Sequence, residues 1–231
     1  METIMLEIDL QFFGGRGSMS GGGGGSLGKG SGESINIIST TDVWSYRHNR
    51  DNEPFVDSIN SSVRDINDDF PGVMDTVHTV DAAELGGSDR TSTLGFYGNG
   101  ALGMNQYYTD AGRMNAAYDQ AVKEGFHPGR GNKGAVEAVT YHEMGHALTD
   151  HLARKNGMRN LDDLSAEVVK RAYKKSGLKG GNMNLAKQIS GYAQKNYAEC
   201  VAEAVSDYYC NGKKASKASL LIMDELKAYN K

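Results

Sequence analysis

Cysteine, proline and tryptophan are scarce in this sequence of 231 residues, which contains two, three and one of them. The two cysteines, Cys200 and Cys210, fall in one helical pattern, and ten residues along a helix correspond to about 15 Å. No disulfide spans that distance. The sequence therefore excludes a disulfide between them and predicts reduced thiols, which are compatible with the cytoplasm.

Long apolar runs and a basic leader are missing as well. No apolar run approaches the roughly 20 residues of a membrane-spanning helix. The first dozen residues include Glu2, Glu7 and Asp9, whereas a secretory signal peptide begins with basic residues. The net charge of −4 gives no bias toward nucleic acid or membrane. We therefore expect a protein without a signal peptide that binds neither nucleic acid nor membrane.

Glycine is abundant, with 30 residues, and many of them lie in residues 14–32. This tract predicts a flexible linker. Before it, residues 4–13 (IMLEIDLQFF) alternate between apolar and polar side chains, as a strand does. Such a strand on a tether could dock onto the sheet edge of a partner, and the alternative is a disordered leader. We predict that residues 1–33 form this leader and linker, and that residues 34–231 form one folded domain.

Strand patterns and helix patterns are unevenly distributed over the folded part. Strands are predicted at 35–40, 73–80, 94–97 and 101–108, and Gly98-Asn99-Gly100 is a hairpin signal between the last two. The remaining segments have helical spacing, interrupted at Ser190-Gly191 within 184–195. The predicted helices span 53–69, 111–124, 135–155, 162–175, 198–210 and 219–229. A first part that mixes strands and helices, followed by a part with helices only, predicts an α+β domain.

Residues 141–151 read YHEMGHALTDH and contain the pattern His-Glu-x-x-His. Residues four apart on a helix point the same way, so His142 and His146 can bind one metal ion. Glu143 can then reach a water molecule beside that ion without binding the ion itself. The alternative is two histidines on an ordinary helix face. Gly145 costs about 1 kcal/mol inside a helix, which is explained if another backbone passes close to the site.

A catalytic zinc site needs a third protein ligand. His151 is rotated about 140° from the direction of His146 and is excluded, and His127 in a preceding loop is a weaker candidate. Further along the chain, three carboxylates recur every four residues beside apolar positions: Glu199, Glu203 and Asp207. Carboxylates bordering a buried face need a charge partner or a metal.

The combination of HEMGH with AECVAEAV some fifty residues later resembles the gluzincin metallopeptidases, especially the lethal-factor-like branch. That resemblance implies Glu199 as the third ligand and Glu203 as the carboxylate that holds the N–H of a ligand histidine. It implies Tyr192, seven residues before Glu199, as the residue that stabilises the oxyanion. It also implies a zincin-like domain, in which an active-site helix and a small mixed sheet pack against a C-terminal helical part.

A second assignment of the third metal ligand, shifted by one helical turn, remains open. Glu203 and Asp207 also match the Glu-x-x-x-Asp of thermolysin-like gluzincins, in which the Glu is the ligand and the Asp orients a ligand histidine. We favour Glu199, with Glu203 and Asp207 as supporting carboxylates, because only that register accounts for Tyr192.

The expected function is that of a zinc metalloendopeptidase acting on a protein or peptide. Zn²⁺ activates water, Glu143 serves as the general base, and Tyr192 stabilises the oxyanion. The hairpin strand near residues 102–107 is expected to pair with an extended substrate, although either strand of the hairpin could form the edge. The substrate itself does not follow from the sequence.

The opening LEIDLQFFGGRG resembles the N-termini of bacteriophage head-associated proteins. That resemblance implies a protein encoded by a phage or mobile element, located in the bacterial cytoplasm or on the virion, with residues 4–13 contacting a phage structural partner. It leaves open a non-catalytic assembly module with a structural or vestigial metal site. A toxin-type effector protease would share the chemistry and differ in its target.

Overall fold

The computed structural model describes residues 34–38, 42–45, 53–74, 76–80, 93–98 and 101–231. The predicted docking strand at 4–13 and the glycine-rich linker lie outside these residues, so the boundary at residue 33 remains a prediction. Strands and helices mix in the N-terminal part, and only helices follow residue 110. The predicted α+β class is confirmed.

Five short strands form one mixed sheet with the order β2-β1-β3-β5-β4. Strands β3 and β5 are parallel, with Val77 opposite Leu102, and every other neighbouring pair is antiparallel. The strands are β1 (Ser34–Ile38), β2 (Asp42–Ser45), β3 (Thr76–Val80), β4 (Gly95–Gly98) and β5 (Ala101–Asn105).

Three strand predictions need correction. Strand β5 ends at Asn105 rather than at residue 108, because residues 106–108 form a 3₁₀ helix. Strand β2 was not predicted, because four residues are too few to display an alternating pattern and its pairing with β1 defines it. Strand β3 begins at Thr76 rather than Val73. The amides of Val73 and Met74 both donate to Oδ1 of Asn67, and this side chain takes the place of a strand partner.

The hairpin determines which strand lies at the edge. Strands β4 and β5 pair antiparallel from Gly98 opposite Ala101, and residues 99 and 100 of the turn lie outside the described part. Strand β5 is flanked by β3 and β4, so β4 is the edge strand on this side of the sheet within the described part of the chain. The expectation that the strand near 102–107 pairs with a substrate is therefore corrected, because its backbone groups face neighbouring strands.

The helices follow their predicted positions closely. Asp110 caps α2 by accepting from the amides of Gly112 and Arg113, and asparagine side chains cap α4 and α6 in the same manner. The helices are α1 (Glu53–Asp69), α2 (Ala111–Lys123), α3 (Ala135–Lys155), α4 (Leu161–Ser176), α5 (Met183–Ala186), α6 (Tyr197–Asn211) and α7 (Lys217–Tyr229). None of the described helices is long and apolar enough to cross a membrane.

Helix α3 is the central element of the core. It packs against α1, α4, α6 and the hairpin strands, and 15 of its 21 residues are buried. Helix α6 crosses it at Gly145, where an added Cβ would lie 2.8 Å from Cα of Ala202. The prediction that a second backbone passes close to Gly145 is confirmed. This close contact places the two helices that carry the predicted ligands side by side.

Candidate metal centre

The structure brings together the three residues predicted to bind the metal. His142 and His146 lie one turn apart on α3, with ring centroids 5.0 Å apart. Their Nε2 atoms lie 3.2 and 3.3 Å from Oε2 of Glu199 on α6. One ligand atom from each residue falls within 4.8 Å of the others. The side chains of His142 and Glu199 are almost fully buried, and that of His146 is 14% exposed, so solvent reaches the group from its side.

The N-terminus of α6 positions Glu199. Asn196 caps the helix by accepting from the amide of Glu199 at 2.8 Å. Farther along α6, the Ser206 hydroxyl donates to the carbonyl oxygen of Ala138 on α3 at 2.8 Å. The carboxylate therefore sits in the first turn of a helix that is hydrogen-bonded to the helix carrying both histidines.

The donor set fits zinc. Two imidazole nitrogens and one carboxylate oxygen are the ligands of many catalytic zinc sites, which keep a fourth position open. Oε2 of Glu199 is buried and has no hydrogen-bond partner of good geometry among the described residues, and a cation would satisfy it. Burial acts to raise the pKa of Glu199, but both histidines hold that pKa well below its usual range. Burial acts to lower the pKa of His142, but the neighbouring carboxylates of Glu199 and Glu203 raise it to about 10.

Glu203 lies behind His142, on the side away from Glu199. Its Oε1 accepts from Nδ1 of His142 at 2.9 Å and from Nδ1 of His127 at 3.1 Å. Burial acts to raise the pKa of Glu203, but His127 and His142 lower it to about 2. This contact matches the predicted role of Glu203, and it favours Glu199 as the ligand because Glu203 faces Nδ1 rather than Nε2.

Glu143 lies beside the ligand group and is 1% exposed. Its Oε1 has no hydrogen-bond partner among the described residues. Strand β4 packs over it closely, since a Cβ on Gly95 would lie 3.2 Å from Cγ of Glu143. Burial raises the pKa of Glu143 to about 7 against the opposing effect of the histidines. The carboxyl group is therefore buried next to the ligand His142, where it can reach a water molecule on a bound ion.

Tyr192 reaches the same group through its hydroxyl, which donates to Oε1 of Glu199 at 3.3 Å. The Lys195 ammonium donates in turn to the Tyr192 hydroxyl at 3.3 Å. Burial, followed by the charge of Glu199, raises the pKa of Tyr192 well above its usual value. Tyr192 therefore stays protonated and can donate a hydrogen bond at any ordinary pH.

Backbone contacts hold the turn that carries Tyr192. The amide of Gly191 donates to the carbonyl oxygen of Gly125 at 2.8 Å, and that of Tyr192 donates to Phe126 at 3.0 Å. An added Cβ on Gly191 would lie 3.1 Å from the Gly125 oxygen. The small residue predicted to interrupt the helical pattern thus allows this segment to approach the loop after α2.

Asp207 does not support the histidines, and that prediction is wrong. Its Oδ2 accepts from the amide of Ser216 at 2.8 Å and from the hydroxyl of Ser219 at 2.7 Å, while Oδ1 accepts from the side chain of Asn211. Asp207 therefore ties the end of α6 to the start of α7. The physical reason is distance, since eight residues along a helix carry it about 12 Å from Glu199.

The two other histidines considered as ligands, His151 and His127, have different positions. His151 lies against the chain after α1, where a Cβ on Gly72 would be 3.8 Å from its ring, and it takes no part in the ligand group. His127 is not a candidate ligand but is buried against Glu203. Its contact with Glu203, like that of Ser190, was not predicted. The one signal in the sequence was that a buried carboxylate needs hydrogen-bond donors. That need does not indicate which residues supply the donors.

His142, His146 and Glu199 form the one group of three candidate metal ligands found in the described part of the chain. Comparison with known proteins found no match, whether to a protein-family model, a curated protein or a solved structure.

Proposed function

We propose that this protein is a zinc metalloendopeptidase with a zincin-like domain of the gluzincin type. The observation that carries the proposal is the convergence of His142, His146 and Glu199 around one point, with Glu143 directly beside them. The HEMGH and AECVAEAV motifs agree with this interpretation. A purely structural metal site would need neither a buried carboxylate oxygen that lacks a hydrogen bond from the described residues nor a tyrosine hydroxyl at its edge.

His142, His146 and Glu199 would hold the ion through Nε2, Nε2 and a carboxylate oxygen. When bound there, zinc supplies a Lewis acid that lowers the pKa of a water molecule toward neutrality and polarises a carbonyl group. Glu203 holds Nδ1–H of His142, which keeps Nε2 available for the ion. The chain therefore presents the ligands in the correct tautomer and orientation.

Glu143 is the proposed general base. Oε1 of its carboxylate accepts a proton from the attacking water and later delivers it to the nitrogen of the leaving amine. This carboxyl group is buried next to the ligand His142, at the place where water on the ion would lie. Strand β4 covers this carboxyl group and helps to exclude bulk water from it.

Tyr192 is the proposed oxyanion donor. Its hydroxyl would turn from Glu199 to the substrate carbonyl oxygen as negative charge develops there. The Lys195 ammonium beside that hydroxyl adds positive potential at the same place. The backbone contacts of the 191–192 segment limit the movement of the turn during this exchange.

Strand β4 is the proposed contact for an extended protein or peptide substrate. It is a sheet edge, and the Tyr97 hydroxyl anchors it to α3 by donating to Asp150 at 2.7 Å, one turn beyond His146. A peptide paired with β4 would run alongside the ligand group.

Metal analysis tests the site. Purified wild type should contain about one zinc per chain after supplementation, and His146→Ala should lose it. His151→Ala is the matched control, because it removes the same side chain from the same helix outside the ligand group. A wild type that neither contains nor binds zinc, or equal loss from both variants, contradicts the proposal.

A cleavage profile tests the reaction. Wild type and Glu143→Gln are incubated with a proteome-derived peptide library, and new termini are identified by mass spectrometry. The Gln variant should keep its zinc and lose cleavage, because an amide cannot accept the proton. Equal cleavage by both variants would falsify the role of Glu143.

The absence of cleavage by a zinc-loaded wild type would instead favour the non-catalytic assembly module. The phage or mobile-element origin stays a proposal carried by the leader resemblance, because residues 4–13 lie outside the described part of the chain. Location in a bacterial host or on a virion rests on the same resemblance.

A further inference from the structure

Two buried residues outside the proposed ligand set converge on the carboxylate of Glu203. His127 is 3% exposed, and its Nδ1 lies 3.1 Å from Oε1 and 3.3 Å from Oε2. Ser190 is 7% exposed, and its hydroxyl donates to Oε2 at 2.6 Å. Together with His142, they surround one carboxylate with three donors from three separate segments of the chain.

Aromatic packing fixes the orientation of His127. Its ring stacks on Tyr118 with centroids 5.3 Å apart and an interplanar angle of 10°, and it meets Tyr192 edge-on at 5.5 Å. The Tyr118 hydroxyl donates to the carbonyl oxygen of Pro128 at 3.2 Å, so the ring of Tyr118, rather than its hydroxyl, packs against His127. The surroundings therefore direct Nδ1 of His127 toward Glu203 independently of any metal.

Ser190 joins the same carboxylate to the turn that carries Tyr192. Its hydroxyl oxygen accepts from the amide of Ala193 at 3.0 Å while its proton goes to Glu203. One carboxylate thereby connects the ligand His142 with the segment that presents the proposed oxyanion donor.

The three donors have a consequence for the ligand. A carboxylate held only by His142 could rotate about its Cγ–Cδ bond and take the imidazole ring with it. Additional donors to both oxygens fix the plane of the carboxylate, and through it the direction of Nε2. Residues that orient metal ligands in this manner typically change metal affinity by about 10- to 100-fold when they are removed.

We propose that His127 and Ser190 are positioning residues that hold Glu203 in the orientation required for His142 to bind metal. The inference rests on the proposed metal site, although its test needs no peptidase activity. Neither residue contacts the ion or the substrate, and both act through Glu203.

The experiment measures zinc affinity by competition with a chelator on the full-length chain. His127→Leu keeps an apolar side chain on Tyr118 and removes the donor, and we expect affinity to fall by about 10-fold or more. His127→Asn should stay within about 3-fold of wild type, because its amide nitrogen can replace Nδ1 as a donor. Tyr118→Phe is the control, since it removes the hydrogen bond to Pro128 and keeps the stacked ring, and its affinity should not change.

A double-mutant cycle separates a specific role from general loosening of the structure. If His127 acts through Glu203, then His127→Leu should have little further effect in a Glu203→Ala background, because alanine leaves no carboxylate for His127 to hold. The inference would be overturned if the loss of zinc affinity in the double variant equalled the product of the losses in the two single variants. It would also be overturned if His127→Leu, His127→Asn and Tyr118→Phe all lost the same affinity.

If the His127 variants fail to fold, Ser190→Ala is measured in their place. This change removes a single oxygen atom and disturbs the packing least. We expect its zinc affinity to fall by about 3- to 10-fold, below the loss expected for His127→Leu. Unchanged affinity overturns the positioning role while wild-type zinc binding stands. A wild type that binds no zinc overturns the proposed function and this inference together.

Discussion

The two halves of α6 carry the same kind of side chain and use it differently. In the N-terminal half, Glu199 and Glu203 face the histidines of α3. In the C-terminal half, Asp207 lies on the same stripe but accepts from Ser216 and Ser219 at the start of α7. The difference teaches that four-residue spacing selects a helix face, while the element packed against each turn decides what a carboxylate does.

Each half of α6 satisfies its buried charge with a different kind of partner. The N-terminal half faces imidazoles that can share a cation. The C-terminal half faces the backbone amide of Ser216, the hydroxyl of Ser219 and the side-chain amide of Asn211, which donate hydrogen bonds to Asp207. Replacing the carboxylate by an amide at Glu199, Glu203 and Asp207 in turn therefore distinguishes the carboxylates that bind metal from the one that stabilises the fold.

Glu199→Gln should have the largest effect. It replaces a charged candidate ligand by an amide, and we expect zinc affinity to fall by more than about 100-fold, beyond the range typical of supporting residues. Chelator competition measures this loss. An affinity within a few-fold of wild type would show that Glu199 is not a ligand and would reopen the register in which Glu203 binds the metal.

Glu203→Gln should have an intermediate effect. The amide can still accept from His142, but it loses the charge that His127 and His142 now share, and zinc affinity should fall by about 10- to 100-fold. The ratio of this loss to that of Glu199→Gln is the informative quantity, measured in the same competition assay. A larger loss than that of Glu199→Gln would reverse the two roles.

Gly145→Ala tests the contact between α3 and the middle of α6. The new Cβ would lie 2.8 Å from Cα of Ala202, so the helices must move apart, and we expect the free energy of unfolding to fall by about 1–3 kcal/mol. Urea denaturation measures it. The control is Gly112→Ala at the exposed start of α2, where the new Cβ would contact only the Asp110 side chain, at 3.1 Å. Equal changes in both variants would mean that close packing at Gly145 is unimportant.

Asp207→Asn should have the smallest effect on the metal and a modest one on stability. An amide nitrogen would face one of the donors around Asp207, and losing that hydrogen bond should lower the free energy of unfolding by about 1–2 kcal/mol. Zinc affinity should remain within about 2-fold of wild type. A loss of zinc comparable to that of Glu203→Gln would restore Asp207 to the metal site and remove the distinction between the two halves.

Local signals predicted the helical part of this protein well. Helix α3 has the predicted bounds, because Gly134 and Gly157 flank an apolar helical pattern, and Asp110 caps α2 as expected. The α+β class followed from the order of the elements. Strand β2 was missed because its existence depends on pairing with β1, which no pattern within four residues can reveal.

The sequence by itself determined the spacing of His142, His146 and Glu199 on their helices, because helix geometry converts spacing into direction. Tertiary structure alone decided which carboxylate faces Nε2 and which faces Nδ1, and it sent Asp207 to α7. It also brought His127 and Ser190 to Glu203 across 76 and 13 residues of sequence. Such contacts depend on how helices and loops pack together, and no local periodicity encodes them.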